Sequence, residues 1–400
     1  MAHYQSRKTR IVCVSDTHNT TPPLPKGDVL IHAGDLTNQG SFSELEKAVE
    51  WISKAPYEAK IVIAGNHDIT LDQPFYEEHG LSFHNQHPQD PAQCIQLLST
   101  APGITYLNHS AAHIKLTSAA GPQTHFRVFG SPYSPDTKGQ WAFRYAAGSA
   151  RAAQLWAAMP AATDVAVAHT PPATHRDATV SGAPAGCEAL RRALWRVRPK
   201  LLVCGHLHEG RGVEVVRWRL DAAGPPFAEE ATRGWEDPGA GQGNRRVSAV
   251  DLTARGSLRL DSYDDGEDEG KERLQESSGH GHGGGDAEAE RGLPSVTEYA
   301  ALNDADALPC GDVVKAKSTP KSVNPGKKLE MAGLADVLGT NQSWWRNDVE
   351  GRLARRETCI VNAAIMANSW GGPKRFNKPI VVSIDLPVWE DWMEDVAETQ

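Results

Sequence analysis

A short β-branched apolar run that stops abruptly in polar residues recurs between residues 10 and 208: RIVCVSDTHN (10–19), DVLIHAGDL (28–36), KIVIAGNHD (60–68), FRVFGSP (126–132), DVAVAHTPP (164–172) and KLLVCGHLH (200–208). Runs this continuously apolar fit strands buried on both faces, in sheets covered by helices. Helical patterns separate them. The clearest is SFSELEKAVEWIS, where Ser41 and Glu44 stand at capping-box spacing and Phe42, Leu45, Val49 and Ile52 share a face. Strands alternating with helices specify an α/β fold. In such folds ligands collect at the carboxyl ends of the strands, where every polar burst falls, so the bursts point to one shared site.

At 400 residues the chain exceeds one ordinary domain. Residues 8–220 are expected to hold the main part of the folded domain. From 221 to 355 the composition turns to Gly, Pro, Ala and charge, as in AAGPPFAEE and SSGHGHGGG. Such a stretch buries too little apolar surface to offset its ordering entropy, so it is expected to be a mostly disordered insertion, with VSAVDL and SLRLDSY (247–263) as a short hairpin inside it. TCIVNAAIM and KPIVVSIDLP, within 356–390, again read as buried strands and are expected to complete the domain. The net charge of -9 supplies no basic face for nucleic acid or an anionic membrane. No apolar run approaches the ~20 residues that span a bilayer. The first residues lack the apolar core of a secretory signal, and the six cysteines are scattered without a CxxC pair. A reducing compartment is therefore expected, the cytoplasm or alternatively the nucleus. The acidic and basic runs of the insertion are the part that would meet protein partners.

In chain order the strand ends carry Asp16 and His18, Asp35, Asn66 and His67, His169, then His206 and His208. All are oxygen or nitrogen donors with no cysteine among them, which argues against a thiolate zinc site. They are too many for one tetrahedral ion and suit two hard or borderline cations that share a carboxylate. Gly34, Gly65 and Gly205 each precede such a residue, where the chain must turn and admit close approach. His32, inside a strand pattern, reads as a core histidine, and Asn362 as a backbone-bonding amide. Ser131, Tyr133 and Trp141 read as pocket lining or loop packing, and His280 and His282 as part of a solvated linker.

The ordered series DTH, GD, GNHD, H and GHLH resembles the five-motif pattern of the calcineurin-like metallophosphoesterase superfamily, over residues 10 to about 215. GSPYSP (130–135), WAF (141–143), GHLHEG (205–210) and the two C-terminal runs are similar to its metallophosphoesterase-domain-containing branch. The resemblance implies a four-layer αββα sandwich of mixed sheets. It also implies two divalent ions, manganese foremost, with iron or zinc as alternatives. Asp16, His18 and His208 would hold one ion and Asn66, His169 and His206 the other, with Asp35 between them and His67 facing the scissile phosphate. GDLTNQG lacks the arginine of protein Ser/Thr phosphatases, and Thr37 and Asn38 offer no tyrosine ligand of purple acid phosphatases. GDLT with GNHD looks closer to cyclic nucleotide phosphodiesterase-like members.

The implied reaction is hydrolysis of a phosphoester by hydroxide activated between the two ions, with Asp35 and His67 as catalytic residues and His67 as general acid or phosphate ligand. Two divalent ions, two carboxylates and a hydroxide leave about one positive charge, which suits a diester monoanion better than a monoester dianion. A cyclic nucleotide or other small diester is therefore the expected substrate, touched by Asn66, His67, Ser131 and Arg176. The alternatives are a low-turnover nucleotide-binding or scaffold protein on the same fold, and a phosphomonoesterase or protein phosphatase.

Overall fold

The computed structural model describes residues 5–136, 140–220, 227–241, 243–261, 355–367 and 374–389. Along the chain the strands are β1 Ser6–Val14, β2 Val29–Ala33, β3 Ala59–Ile63, β4 Ile104–Tyr106, β5 Ser110–Lys115, β6 His125–Ser131, β7 Ser134–Pro135, β8 Arg144–Tyr145, β9 Val165–Ala168, β10 Leu201–Cys204, β11 Gly212–Trp218, β12 Glu229–Gly234, β13 Ser248–Asp251, β14 Glu357–Asn362 and β15 Ile380–Pro387. The α-helices are α1 Phe42–Lys54, α2 Gln73–His79, α3 Pro91–Ser99, α4 Ala150–Ala157 and α5 Glu188–Val197.

Two mixed sheets dominate, ordered β13-β15-β1-β2-β3-β4 and β12-β11-β14-β10-β9-β6-β5. In the first, β1 runs parallel to β2 and antiparallel to β15. In the second, β10 runs parallel to both β9 and β14, while β11 returns antiparallel to β14. The continuous apolar runs are explained by what lies on each face. Ile11, Cys13, Ile31 and Ile61 of the first sheet pack against Val128, Val167, Val203 and Val361 of the second. The alternate residues Val12, Val14, Leu30 and Val62 turn outward onto Leu45 and Ile52 of α1 and Cys94 and Leu98 of α3. On the far side, Phe129, Ala166, Leu202 and Ile360 meet Trp156 of α4 and Leu190 and Leu194 of α5. The result is the expected four-layer αββα sandwich, in which a strand needs apolar residues at successive positions. Each fully buried Ile, Val or Leu contributes roughly 1.5–3 kcal/mol. The C-terminal runs form β14 and β15, which sit inside the second and first sheets respectively.

The start of α1 is tied to the neighbouring loops as its sequence suggested. The Ser41 N–H donates to the Glu44 carboxylate at 2.9 Å, and the same carboxylate receives Asn19 Nδ2 at 2.6 Å.

Two strands fall within the stretch expected to be disordered from 221. Both β12 and β13 join the sheets, so the folded domain extends through Asp261. β12 is an exposed edge strand held by backbone pairing to β11 and by ion pairs of Glu229 with Arg191 and of Arg233 with Glu357. Neither kind of bond leaves apolar periodicity in the sequence. β13 pairs parallel with β15, and the expected hairpin over 247–263 is reduced to Leu258 and Leu260 donating to Asp251 and Leu252. Residues 262–354, which carry the rest of the expected insertion with His280 and His282, lie outside the described residues. The five described cysteines are buried free thiols, and among the described residues no helix is long and apolar enough to cross a membrane.

Candidate functional site

The site is built where β1, β2, β3, β9 and β10 end, each delivering one or two side chains to the same place. Regular strand geometry stops there. Asp16, His18, Asp35 and His206 all have left-handed backbones, with φ of 52, 43, 54 and 65°. Such conformations cost about 1–3 kcal/mol each in residues other than glycine and persist only when the surroundings enforce them. Here the Asp16 and His18 N–H groups donate to the Gly34 and Asp35 carbonyls at 2.9 and 3.1 Å. The His206 N–H donates to both Asp16 carboxylate oxygens at 3.0 Å, and the His67 N–H to Asp35 Oδ1 at 2.8 Å. The glycines supply room. A Cβ at Gly65 would stand 2.3 Å from Asp35 Oδ1, and one at Gly205 2.0 Å from Ser15 Oγ and 2.1 Å from Asp16 Oδ2.

Three groups of side chains bring their ligand atoms within 4.8 Å of one another: Asp16 with His18 and His208, His18 with Asp35 and His67, and Asp35 with His169 and His206. The first holds the three residues expected around one ion, and the third holds His169 and His206 of the other set together with Asp35. Asn66 joins the third through its Oδ1, 3.0 Å from His169 Nε2. His208 Nε2 lies 3.2 Å from Asp16 Oδ1, His169 Nε2 lies 3.4 Å from Asp35 Oδ1, and His18 Nε2 lies 3.7 Å from Asp35 Oδ2. Carbonyl groups orient the rings from behind. His169 Nδ1 is 2.9 Å from the Ala33 oxygen and His18 Nδ1 is 3.1 Å from that of Thr37. A carbonyl only accepts, so Nδ1 carries the proton in each and Nε2 faces the cluster.

These residues fit a cation pair. His206 Nε2 and His208 Nδ1 are buried and have no hydrogen-bond partner among the described residues, an arrangement that costs free energy unless a ligand satisfies it. Burial alone would raise the carboxyls of Asp16 and Asp35, but His208 beside the first and His169 beside the second hold both well below the usual carboxylate range. Burial lowers His206 to about 3 and His18 in the same direction. Burial also opposes charge on His169, yet the Asp35 carboxylate carries that imidazole up to about 9. Carboxylates and neutral imidazoles are the ligating forms, so a cation bound here would displace the proton that Asp35 holds on His169.

His67 sits at the edge of the cluster, with Nδ1 bonded to the Asn38 carbonyl at 2.8 Å, which leaves Nε2 for the site. Two expected substrate contacts lie elsewhere. Ser131 is fully buried, its hydroxyl engages His109 Nδ1 at 3.1 Å, and its carbonyl receives the His169 N–H. It therefore supports His169 from behind. Arg176 donates from Nε to the Gly210 carbonyl at 3.0 Å and from its terminal nitrogen to that of Arg211 at 3.1 Å. Its guanidinium clamps the turn after His208, because that turn leaves carbonyls without strand partners. Asn362 bonds backbone as expected, its amide donating to the Arg176 and Leu207 carbonyls. His32 is the expected core residue, fully buried with Nε2 2.9 Å from the Thr17 hydroxyl.

Sequence reasoning passed over Asp68. It is fully buried, burial and the charge of Asp35 push its carboxyl up to about 6, and it ties the Asp35 loop to the Asn66 loop. Its place as the last letter of GNHD was the available signal. A cleft beside the cluster is lined by Asn66, His206, Trp141, Ala142 and an Arg144–Asp136 ion pair of 3.2 Å, the last of which no motif announced.

Metallophosphoesterase domain-containing protein 1 of Homo sapiens is 39% identical over 213 residues, covering 51% of this chain and 62% of that protein. Probable rhamnogalacturonate lyase C of Emericella nidulans is 43% identical over 213 residues, covering 53% of this chain and 18% of that protein. The chain thus spans less than two thirds of the length of either relative. The solved structure of a purple acid phosphatase from yellow lupin seeds is 15% identical with a TM-score of 0.31, covering 54% of this chain and 40% of that one. The family described as calcineurin-like phosphoesterase matches residues 9–210, the span that contains every member of the His/Asp cluster, and the chain belongs to that family.

Proposed function

We propose that the chain is a metal-dependent phosphodiesterase acting on a small diester such as a cyclic nucleotide. The observation that carries this reading is the position of Asp35, whose carboxylate lies in two adjoining groups of ligand atoms, with His18 and His67 on one side and His169 and His206 on the other. Asp16, His18 and His208 would hold one cation, Asn66, His169 and His206 a second, and Asp35 would contact both. Bound there, the two cations would supply the charge that activates water and neutralises phosphate oxygens. Mixed carboxylate, amide and imidazole donors accommodate manganese, iron or zinc, and manganese is the ion we propose.

The chain's own residues then divide the remaining work. His208 and His169 hold the Asp16 and Asp35 carboxyls ionised, and the His206 and His67 N–H groups aim them inward. His67, fixed at Nδ1, presents Nε2 as a proton donor to the leaving oxygen or to a phosphoryl oxygen. Arg176 turns its donors to the Gly210 and Arg211 carbonyls, Arg211 pairs with Asp237 and Arg144 with Asp136, so none of these three described guanidiniums is directed at the second charge of a monoester. That favours the diester.

The test is Mn2+-dependent hydrolysis of bis-p-nitrophenyl phosphate, p-nitrophenyl phosphate and cyclic nucleotides, with Asp35→Asn and His67→Ala alongside. Diester turnover that collapses in Asp35→Asn is the expected result. A clear preference for the monoester would overturn the substrate class, and undiminished activity of Asp35→Asn would overturn the two-cation reading. Tight nucleotide binding without turnover would support the low-turnover binder instead.

A further inference from the structure

We propose that Trp141 is a positioning residue for His67, holding its imidazole in the one orientation that presents Nε2 to the reacting phosphate; the inference rests on the function proposed above. The two rings lie face to face, with centroids 3.9 Å apart and planes tilted by 34°. Among the described residues no second ring lies over a face of His67 in this way. His18 meets it edge-on at 4.8 Å and 88°. The bond from Nδ1 to the Asn38 carbonyl fixes one point of the imidazole but leaves the ring free to swing about it. The indole on one face and the edge of His18 beside it remove that freedom.

Trp141 can act as a wall because it is itself held. The following residue, Ala142, donates its N–H to the Asn66 carbonyl at 3.2 Å, so the indole is joined by backbone to the loop that carries His67. The Phe143 N–H donates to Asp72 Oδ2 at 2.7 Å, and both Ala142 and Phe143 are buried. Phe83 packs beside the indole at 5.6 Å and 48°. With His67 stacked on it, that indole face is not open as a platform for a substrate ring, which argues against reading Trp141 as a base-stacking residue. Its contribution runs through His67, and a displacement of about 1 Å at such a group is enough to cost roughly 100-fold in rate.

The experiment is a double-mutant cycle on the Mn2+-loaded protein with bis-p-nitrophenyl phosphate. Trp141→Ala should lower kcat roughly 10- to 100-fold with KM within about twofold, and Trp141→Phe should retain most of the activity. In a His67→Ala background, Trp141→Ala should change kcat by less than about twofold, since the group it positions is gone. Losses that multiply in the double variant, or a rise in KM at unchanged kcat, would overturn the assignment. Absence of diester turnover in the wild type would instead refute the proposed function. The positioning claim is then judged on metal-free protein labelled with 13C-histidine, where the His67 ring protons are identified by their disappearance in His67→Ala. Upfield ring-current displacement that is lost in Trp141→Leu supports the stack, and unshifted His67 protons in the wild type overturn it.

Discussion

Asp68→Asn removes a single charge and almost no volume, yet it should rank among the more damaging substitutions in the domain. Asp68 Oδ1 accepts the Thr37 N–H at 3.0 Å and the Thr37 hydroxyl at 2.7 Å, while Oδ2 accepts the Leu36 N–H at 3.2 Å and the Gly65 N–H at 2.8 Å. All four donors lie on the two loops that carry Asp35 and Asn66. An amide has one acceptor oxygen, so its NH2 must face one of the two donor pairs. If it faces Thr37, the hydroxyl can rotate and accept, because it already accepts the Gly40 N–H at 2.8 Å, but the Thr37 N–H is stranded. If it faces the other pair, two buried N–H groups are stranded. The amide takes the less costly orientation, and the one donor it strands costs about 1–3 kcal/mol. That is a sizeable share of a domain stability of about 5–15 kcal/mol, and at about 2–4 °C per kcal/mol it lowers Tm by roughly 2–12 °C. Urea and thermal denaturation of the metal-free protein, followed by circular dichroism, measure it directly. A variant within about 0.5 kcal/mol of wild type would refute the view that Asp68 joins these loops through four accepted bonds.

Three further outcomes are expected. Gly205→Ala places a methyl group 2.0 Å from Ser15 Oγ and 2.1 Å from Asp16 Oδ2, so it should destabilise by about 1–3 kcal/mol and weaken Mn2+ binding in calorimetry; unchanged affinity would count against the assigned ligand role of Asp16. Burial opposes charge on His175, but Glu214 at 3.2 Å and Glu229 at 3.0 Å raise its pKa above the ordinary histidine value. A raised folded-state pKa confers stability that is complete below the unfolded pKa of about 6.5 and lost as pH rises through the folded value. The stability gap between wild type and His175→Gln should therefore be wider at pH 6 than at pH 9, and a constant gap would show that the imidazolium contributes nothing. The Asp261 N–H donates to Glu357 Oε2 at 2.9 Å, so the chain leaves and re-enters the domain at one place. Replacing 262–354 by a short Gly/Ser linker, which need bridge only these neighbouring ends, should preserve the folding of the described domain. An excised protein that melts below the intact one would contradict this.

Much of the site was legible because the signals that encode it are short. Ile11 to Val14 are apolar at every position, and only a sheet covered on both faces can accommodate that, so the strands could be read one at a time. Asp16, His18, Asp35, Asn66, His169, His206 and His208 each follow such a run within a few residues, and strand ends in an α/β sheet converge, so their meeting was implied. Ser131 and Arg176 fail the same logic. They stand beside motifs in the sequence, but proximity along the chain does not say which way a side chain turns. Ser131 turns to His109, and Arg176 to the carbonyls of a turn more than thirty residues downstream.

β12 was invisible for a related reason: Glu229, Arg233 and their partners Arg191, His175 and Glu357 form a strand edge through charge pairs between distant segments. The split of His206 and His208 between two ligand groups needs a left-handed turn at His206. That turn is sustained by the Asp16 carboxylate, which arrives from the other sheet. Trp141 is brought against His67 by bonds between distant segments, Ala142 N–H to the Asn66 carbonyl and Phe143 N–H to Asp72. Residue type and spacing were sufficient for the layers of the fold and the identity of the donors, since burial period and ligand chemistry are local properties. The direction of each donor, the backbone strain that aims it and the wall that holds His67 depend on hydrogen bonds between segments far apart in the chain, and those exist only once the two sheets have packed.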